Sequence, residues 1–204
     1  MKKRNKAVDI AMTKKDKILE ASTRLFAAKG FEQTSVRKIA EEVGLSVPGM
    51  FHYIPSKEEI LNEIMIGFMD EGYKRHMEIY NSAIGPVEKL ETVCKFYVEY
   101  YAGHKDQLTI LISEGKSLSQ KHRQAFIKKQ RIYVEALKKL FSDLALDGLL
   151  KSIDPSVAAF IFFGMVHWTY SWYSPQDKMG PDELGDIFSE VFLRGVLKDE
   201  KEPR

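Results

Sequence analysis

Apolar residues recur along this chain with the spacing of α-helices. One face of a predicted first helix carries Ile18, Leu25 and Phe26, and Gly30 follows as a typical C-terminal stop. The same three- and four-residue spacing returns in every later long segment. No stretch alternates apolar and polar residues for long enough to predict a strand. The pattern predicts an all-α fold with about nine helices.

Interruptions in the pattern place the helix boundaries. Gly44 and Pro55 separate short elements, and Gly85-Pro86 and Pro181 separate longer ones. Ser56-Lys57-Glu58-Glu59 predicts a capping box at the start of a long fourth helix. The predicted helices cover residues 16–29, 35–43, 46–53, 56 to about 81, 87–102, 108–114 and 121–146, and two more begin at 154 and 181.

Length and composition exclude several classes of protein. The 204 residues, 44% of them hydrophobic, suffice for a real core in one domain or in a small module joined to a larger one. No apolar run reaches the roughly 18 residues of a membrane-spanning helix. The lysine-rich N-terminus lacks the apolar core of a secretory signal, and the single Cys94 cannot form an intramolecular disulfide. We therefore expect a cytoplasmic protein without a membrane partner.

Charge is distributed unevenly between two parts of the chain. Residues 1–57 contain 12 Lys and Arg against 6 Asp and Glu, whereas residues 58–204 contain 19 against 23. A basic front on a mildly acidic body favours a nucleic-acid-binding domain over residues 1–57 and a different domain over residues 58–204. For the lysines at positions 2–6 alone, a solvated tail is the alternative.

Residues 35–53 have the spacing of a helix-turn-helix motif. The second and third predicted helices are separated by the tight Gly44-Leu45 turn. In such a motif the first helix of the pair lies across the phosphate backbone and the second enters the major groove. Met50 and Ile54 are spaced to fill the small core beneath. The segment predicts binding to double-stranded operator DNA.

Side chains for DNA contact follow from this arrangement. Thr34 and Ser35 offer hydroxyls and free backbone amides at a helix start, which suits a phosphate. Arg37 lies one turn further and could reach a phosphate or a guanine edge. Ser46 serves equally well as a plain helix cap. The third helix presents to the groove Val47, Pro48, Gly49, His52 and Tyr53.

This part of the chain resembles the TetR family of bacterial repressors. The resemblance rests on residues 30–40 (GFEQTSVRKIA), 44–46 (GLS) and 52–58 (HYIPSKE), and it is dense over about residues 14–62. It implies a repressor in which Lys57 contacts a phosphate. Three positions depart from the family: Pro48-Gly49 replaces the usual Gly followed by Ser or Thr, and Phe51 replaces a common Tyr. The operator sequence is therefore not implied.

The resemblance also implies that residues 58–204 form an effector cavity and, from the last two helices, a dimer interface. Residues 160–166 are apolar all round, and residues 184–196 carry a long apolar stripe. One subunit cannot cover so much apolar surface, so we expect a homodimer with a two-fold four-helix bundle; an ordinary monomer core is the alternative. The predicted interface residues are Phe160, Phe163, Ile187, Phe188, Val191 and Phe192.

Aromatic and methionine residues of the middle helices predict the cavity, although such residues are more often ordinary core. Residues 164–175 and 179–184 resemble the C-terminal region of TetR-type repressors that respond to acyl-CoA thioesters, which implies an acyl-CoA effector and no cofactor. Cations for the CoA phosphates would be Arg123, Lys128 and Arg131. The predicted lining is Met65, Phe68, Met69, Tyr97, Tyr100, Tyr101, Phe126, Tyr133 and Trp168.

Enzyme motifs are fragmentary. Ser113-x-x-Lys116 lacks the companion motifs of penicillin-binding enzymes, and Gly115-Lys116-Ser117 lacks the preceding glycine and strand of a phosphate-binding loop. The five histidines have no metal-ligand spacing. We expect a regulator and not an enzyme. The alternatives left open are a helical scaffold or small-molecule-binding protein with a vestigial helix-turn-helix, and a repressor with a different hydrophobic effector.

Overall fold

A computed structural model describes residues 12–174 and 179–198. Within these ranges the chain is all-α, as predicted. It has ten α-helical segments, and the count becomes nine when the four-residue α9 is joined to α8, from which only Trp168 separates it. The lysines at 2–6 and Pro175 lie outside the described residues. The helices are α1 (Lys14–Lys29), α2 (Val36–Glu42), α3 (Val47–Phe51), α4 (Lys57–Tyr80), α5 (Pro86–Gly103), α6 (Lys105–Ser113), α7 (Gln120–Leu146), α8 (Pro155–His167), α9 (Thr169–Trp172) and α10 (Pro181–Val196), with a 3₁₀ turn at Gly115–Ser117.

A capping box forms at α1 and not at α4. The Thr13 side chain accepts from the Asp16 amide at 3.1 Å, and the Asp16 carboxylate accepts from the Thr13 amide at 2.9 Å. This reciprocal pair starts α1 two residues earlier than the apolar pattern predicts. At α4 the Ser56 hydroxyl accepts from the Glu59 amide at 3.0 Å, but the Glu59 carboxylate contacts His122 on α7. The predicted box at Ser56 is therefore only half formed.

Buried apolar side chains form two clusters that share α4. The N-terminal cluster contains the cores of α1–α3 together with Ile60 and Leu61 of α4. The second cluster lies among the C-terminal half of α4 and helices α5, α7, α8 and α10. The domain boundary predicted between residues 57 and 58 falls at the first residue of α4, so the first turns of this helix complete the N-terminal core.

Close packing of α10 against α5 completes the body. A Cβ atom on Gly185 would lie 3.4 Å from the Lys95 carbonyl oxygen, so a side chain here would press on the α5 backbone. An antiparallel bridge between Leu150 and Leu197 ties the end of α10 to the segment after α7. None of the helices in the described ranges combines the length and the apolar character needed to cross a bilayer.

Candidate functional site

Helices α2 and α3 form the predicted helix-turn-helix, and local contacts set its geometry. Ser35 caps α2 by accepting from the Lys38 amide at 3.2 Å, and Ser46 caps α3 by accepting from the Gly49 amide at 3.1 Å. Gly44 adopts a φ of 66°, a left-handed conformation that favours glycine. The fully buried Met50 anchors α3 from below. The turn and the hydrophobic anchor confirm what the sequence pattern predicts.

The outer surface of α3 and of the residues after it is exposed. Pro48, His52 and Tyr53 are exposed, and the His52 and Tyr53 rings meet edge to face at 5.6 Å between centroids. Val47 and Gly49 are half-buried. Phe51, which departs from the family, is also exposed. An exposed phenylalanine beside His52 and Tyr53 adds apolar area to this surface.

At the start of α2, the structure separates the two hydroxyl residues predicted to contact phosphate. Ser35 is exposed, and its hydroxyl proton is not used by the cap. Thr34 is only 2% exposed, and its hydroxyl lies 2.9 Å from the Gly30 carbonyl oxygen, to which it donates. The predicted phosphate contact of the Thr34 side chain is therefore wrong, because this hydroxyl closes the turn between α1 and α2. Arg37 is exposed and pairs with Glu41 on its own helix.

Lys57 has a different environment from the one predicted. Its ammonium donates to the carbonyl oxygens of Phe31 at 2.9 Å and Thr34 at 3.1 Å, and lies 4.1 Å from the centre of the Phe31 ring. The first residue of α4 thus holds the turn that precedes α2. Two of its three N–H groups bond to protein oxygens, so its main role here is to position the motif, which the local sequence did not reveal.

The same turn is held from the opposite side by Glu114. Its carboxylate accepts from the Phe31 amide at 3.2 Å and from the Ser117 hydroxyl at 2.8 Å. Glu114 follows directly after α6, one turn beyond Leu111. We call the Phe31 peptide with Lys57 and Glu114 the Phe31 clamp. It links the helix-turn-helix to both α4 and α6.

A second contact joins the start of α4 to the start of α7. The ring nitrogens of His122 lie 2.5 Å from a Glu58 carboxylate oxygen and 3.2 Å from one of Glu59. The Ser119 amide also donates to Glu58 at 3.0 Å. Hydrogen bonding by the Ser119 side chain, more than by its amide or by the neighbouring His122, lowers the pKa of Glu58. The N-terminal ends of α4 and α7 are thereby held together next to the Phe31 clamp.

A cavity of about 700 Å³ lies in the body between α4, α5, α7 and α8. Its floor is aromatic, and its opening is bordered by exposed residues of α7 and α8. Leu111 of α6 also lines it, one turn before Glu114. Six residues predicted to form the lining are present: Phe68, Met69, Tyr97, Tyr100, Tyr101 and Tyr133.

Several predicted lining residues are placed elsewhere. Met65 and Phe126 are buried in the N-terminal cluster, and Trp168 is exposed and does not line the cavity. Of the predicted cations only Arg131 borders the cavity; Arg123 and Lys128 are exposed on α7 outside it. Helical spacing showed that these residues share faces, but not which neighbour each face meets. Lining residues that were not predicted for the cavity from sequence are Gly72, Tyr73, Leu111, Ile127, Gln130, Val134, Glu135, Phe160, Phe163, Gly164 and His167.

His76 is buried close to this cavity, and His167 is half-buried in its lining. Burial lowers the pKa of His76 and of His167 to about 4, because the charged form would lose its hydration. His76 is fully buried, with its Nδ1 atom 3.4 Å from the Tyr97 hydroxyl oxygen. Both rings are therefore neutral at pH 7.

This burial predicts a stability loss in mild acid. The unfolded chain takes up protons near pH 6.5, whereas the folded histidines take them up only near pH 4. The free energy of unfolding has its full value above pH 6.5 and falls as the pH drops toward 4. Each histidine contributes a slope of up to about 1.4 kcal/mol per pH unit. Urea unfolding at pH 7.5 and 5 will measure this difference.

The matched variants are His167→Phe and His52→Ala. The first removes one of the two histidines with a lowered pKa and should reduce the pH slope by up to half, whereas the second removes an exposed histidine and should leave the slope unchanged. An equal pH dependence in the wild-type protein and His167→Phe would contradict this origin of the acid sensitivity.

Helices α8 and α10 present an exposed apolar face. On α8, Phe160 is 62% exposed and Ile161 is 47% exposed; on α10, Val191 is 61% and Ile187 is 42% exposed. Trp168 and Trp172 extend the same exposed apolar surface beyond α8. Exposed apolar residues that share two adjacent elements mark an interaction surface.

Three residues predicted at this face have other positions. Phe192 is only 3% exposed and packs on Phe141 and Phe162 inside the subunit. Phe163 is buried in the cavity wall, and Phe188 is half-buried, with its ring stacked on Trp172. For Phe163 and Phe192 the predicted intersubunit role is wrong, since both side chains fill their own subunit's core.

A helix-turn-helix carried on a helical body with an apolar cavity defines a DNA-binding regulator with its own effector domain. Two family models match this chain: one for bacterial regulatory proteins of the tetR family over residues 18–64, and one for the tetracyclin repressor-like C-terminal domain over residues 83–196. The chain belongs to the TetR family of bacterial transcriptional regulators. These proteins are regulators and not enzymes.

Named relatives cover nearly the whole chain. The HTH-type transcriptional repressor KstR2 of Mycobacterium tuberculosis is 24% identical over 192 residues, covering 92% of this chain and 94% of that protein. The structure of KstR2 from the same organism superimposes with a TM-score of 0.85 at 23% identity, covering 92% of this chain and 96% of that one. This superposition shows a common fold.

Two further solved structures are similar. A TetR-family transcriptional regulator from Bordetella parapertussis has a TM-score of 0.79 and 27% identity, covering 88% of this chain and 93% of that one. AibR, in complex with isovaleryl coenzyme A and operator DNA, has a TM-score of 0.79 and 28% identity, covering 88% and 97% of the two chains.

Proposed function

We propose that this chain is a repressor that binds operator DNA as a homodimer and is released by an acyl-CoA thioester. The observation that carries the proposal is the aromatic cavity of about 700 Å³, which touches α6 one turn before the Phe31 clamp. Its volume lies within the roughly 300–1,000 Å³ common for small-molecule sites. AibR, at 28% identity, has been solved with isovaleryl coenzyme A and operator DNA, which supports the same class of effector here.

Cationic side chains near the opening suit the anionic head of a thioester, and Glu135 is the acidic residue of the same lining. The cavity floor consists of aromatic and methionine side chains, which accommodate an acyl chain. Arg131 borders the opening, and Lys128 lies one turn earlier on the same exposed side of α7. No ion pair to Arg131 or Lys128 occurs within the described part of the chain. These cations are therefore available to the CoA phosphates.

Release follows from the links between the cavity and the helix-turn-helix. A dimer reads two half-sites only when its recognition helices are about 34 Å apart. A ligand that displaces Leu111 or the tyrosines beside α4 moves the Phe31 clamp, and with it α2 and α3. To change the operator from almost fully occupied to almost empty, the effector must bind the released state of the protein more favourably than the DNA-bound state by about 5.5 kcal/mol.

Titration of a protein–operator complex tests the effector class. Acyl-CoAs of increasing chain length should release the protein at decreasing concentrations until the cavity is full, whereas free CoA and free fatty acids should not. Arg131→Ala should raise the acyl-CoA concentration needed, because it removes a phosphate partner at the opening, and Lys121→Ala serves as the control on the same helix. Release by free fatty acids with acyl-CoAs inert would reject the thioester and leave the repressor intact.

Substitutions in the helix-turn-helix should have two kinds of effect: a change in sequence preference, or a weakening on all DNA. We propose that His52 and Tyr53 read bases, while Ser35 and Arg37 contact the backbone. His52→Ala or Tyr53→Ala should change the preference among operator sequences by roughly 1–3 kcal/mol. Arg37→Ala should weaken specific and random DNA alike and lower the salt slope by about one unit or less.

Shift assays at several salt concentrations measure both effects. A protein that does not bind the operator would favour a scaffold with a vestigial motif. So would a protein whose operator affinity falls with salt no more steeply than that of an unrelated protein. Equal losses on operator and random DNA for His52→Ala and Tyr53→Ala would mean that other residues, with the exposed Phe51 first among them, read the groove.

A further inference from the structure

Most tyrosines of the cavity have their hydroxyls engaged by the protein. Tyr100 donates to the Phe68 carbonyl at 2.8 Å, and Tyr133 donates to the Asp70 carboxylate at 2.8 Å. The Tyr97 hydroxyl pairs with His76, which does not line the cavity. These residues therefore contribute aromatic rings to the lining, while their polar ends are already satisfied.

The pair formed by Tyr101 and His167 is different, because both of its members line the cavity. The Tyr101 hydroxyl oxygen lies 3.3 Å from His167 Nε2, and the two ring centroids are 5.2 Å apart. A neutral histidine has one N–H donor and a tyrosine has one O–H donor. The hydrogen bond between them uses only one of the two, whichever tautomer is present. No other acceptor for this pair occurs in residues 12–174 and 179–198.

The pair is also uncharged, and its two members are on α5 and α8, whereas the charged lining residues are on α7. Burial lowers the pKa of His167 to about 4 and raises that of Tyr101 well above its usual value. The charged groups of the lining, Arg131 and Glu135, lie on the exposed side of α7. A carboxylate beside His167 would lose its hydration without meeting a cation, whereas a carbonyl oxygen would accept the spare hydrogen bond.

We propose that the Tyr101 hydroxyl donates to His167 Nε2 and that the remaining Nδ1–H of His167 binds an uncharged carbonyl oxygen of the effector, which selects carbonyl-bearing apolar ligands over hydrocarbons and carboxylates of the same shape. The inference rests on the proposed function only in taking this cavity as the effector site. It does not depend on the effector being a CoA thioester.

Three probes on one bicyclic frame test it: 2-tetralone, tetralin and 1,2,3,4-tetrahydro-2-naphthoate. Calorimetry on the full-length wild-type protein at pH 7.5 should show 2-tetralone binding about tenfold tighter than tetralin, which is the expected value of one buried hydrogen bond. Tetrahydro-2-naphthoate should bind more weakly than either. Because the histidine is neutral, the ketone preference should not change between pH 6 and 8.

Variants identify the donor. In His167→Phe the two neutral probes should bind equally, while tetralin keeps at least its wild-type affinity. His167→Gln, which retains a donor, should keep a preference of a few fold, and Tyr101→Phe should reduce the preference because the ring loses its orienting partner. Tyr80→Phe is the matched control: it lies on α4 outside the cavity, removes a hydroxyl that donates to Asp143 and should keep the full ketone preference.

A wild-type protein that binds 2-tetralone no tighter than tetralin would overturn the proposal. So would a His167→Phe or His167→Gln variant with the wild-type preference. Failure of every acyl-CoA to release the operator, with the ketone preference intact, would instead refute the thioester effector and leave the role of His167 standing.

Discussion

Replacing Ile187 and Val191 together by glutamate will separate the protein into monomers and weaken operator binding by roughly 10²–10⁴-fold. Both side chains are exposed on α10, as Phe160 is on α8, and neither fills the core of its own subunit. Two like charges in a desolvated two-fold interface oppose association. The loss of affinity is large because a monomer loses the effective concentration that links two half-sites. Sedimentation velocity and shift assays measure the two effects.

The control is Ile132→Glu. Ile132 on α7 is 43% exposed, nearly the same as Ile187 at 42%, but it lies off the α8–α10 face. This variant should remain dimeric and bind DNA normally. If the Ile187→Glu/Val191→Glu protein also remains dimeric, the interface lies elsewhere. Charge at Phe192 would not test the interface, because that residue is buried within the subunit core.

Lys57→Met will weaken operator binding by about tenfold to a hundredfold while leaving the salt slope near that of the wild-type protein. Methionine can keep the packing on the Phe31 ring but cannot donate to the carbonyl oxygens of Phe31 and Thr34. Hydrogen bonds from charged groups contribute about 1.5–3 kcal/mol each, so the turn before α2 loses its support. Shift assays from low to moderate salt provide both readings.

Substitutions of Glu114, the acidic member of the Phe31 clamp, are expected to have a different effect from Lys57→Met. Glu114→Leu removes the acceptor for the Phe31 amide, whereas Glu114→Gln keeps one. The leucine variant should bind the operator but respond less to effector, and the glutamine variant should resemble the wild-type protein.

For Lys57→Met, a fall in salt slope of about one unit would show that the Lys57 ammonium contacts a phosphate after all.

The helix-turn-helix could be predicted from sequence because short-range contacts determine it. Ser35 and Ser46 cap amides within three residues, and Gly44 supplies a left-handed turn. Met50 lies at the spacing that turns it toward the small core of the motif, where it is fully buried. The all-α class follows for the same reason, since apolar periodicity and helix caps are local properties.

Only the tertiary structure decided what each buried face meets. Met65 and Phe68 lie three residues apart on α4, yet Met65 fills the N-terminal core and Phe68 lines the cavity. On α10, Val191 is exposed while the adjacent Phe192 is buried. Helical periodicity shows that a side chain is shielded from water, but not by which helix.

The hydrogen-bond partners of the polar side chains were likewise decided by the tertiary structure. Lys57 contacts Phe31 across 26 positions of the chain, Glu114 contacts the same residue across 83, and His167 meets Tyr101 across 66. Sequence by itself determined the helices, the DNA-binding motif and the apolar character of the body. The partners of the polar groups depend on how the helices cross, because a hydrogen bond requires two atoms within about 3 Å and no short-range pattern encodes that distance between remote segments.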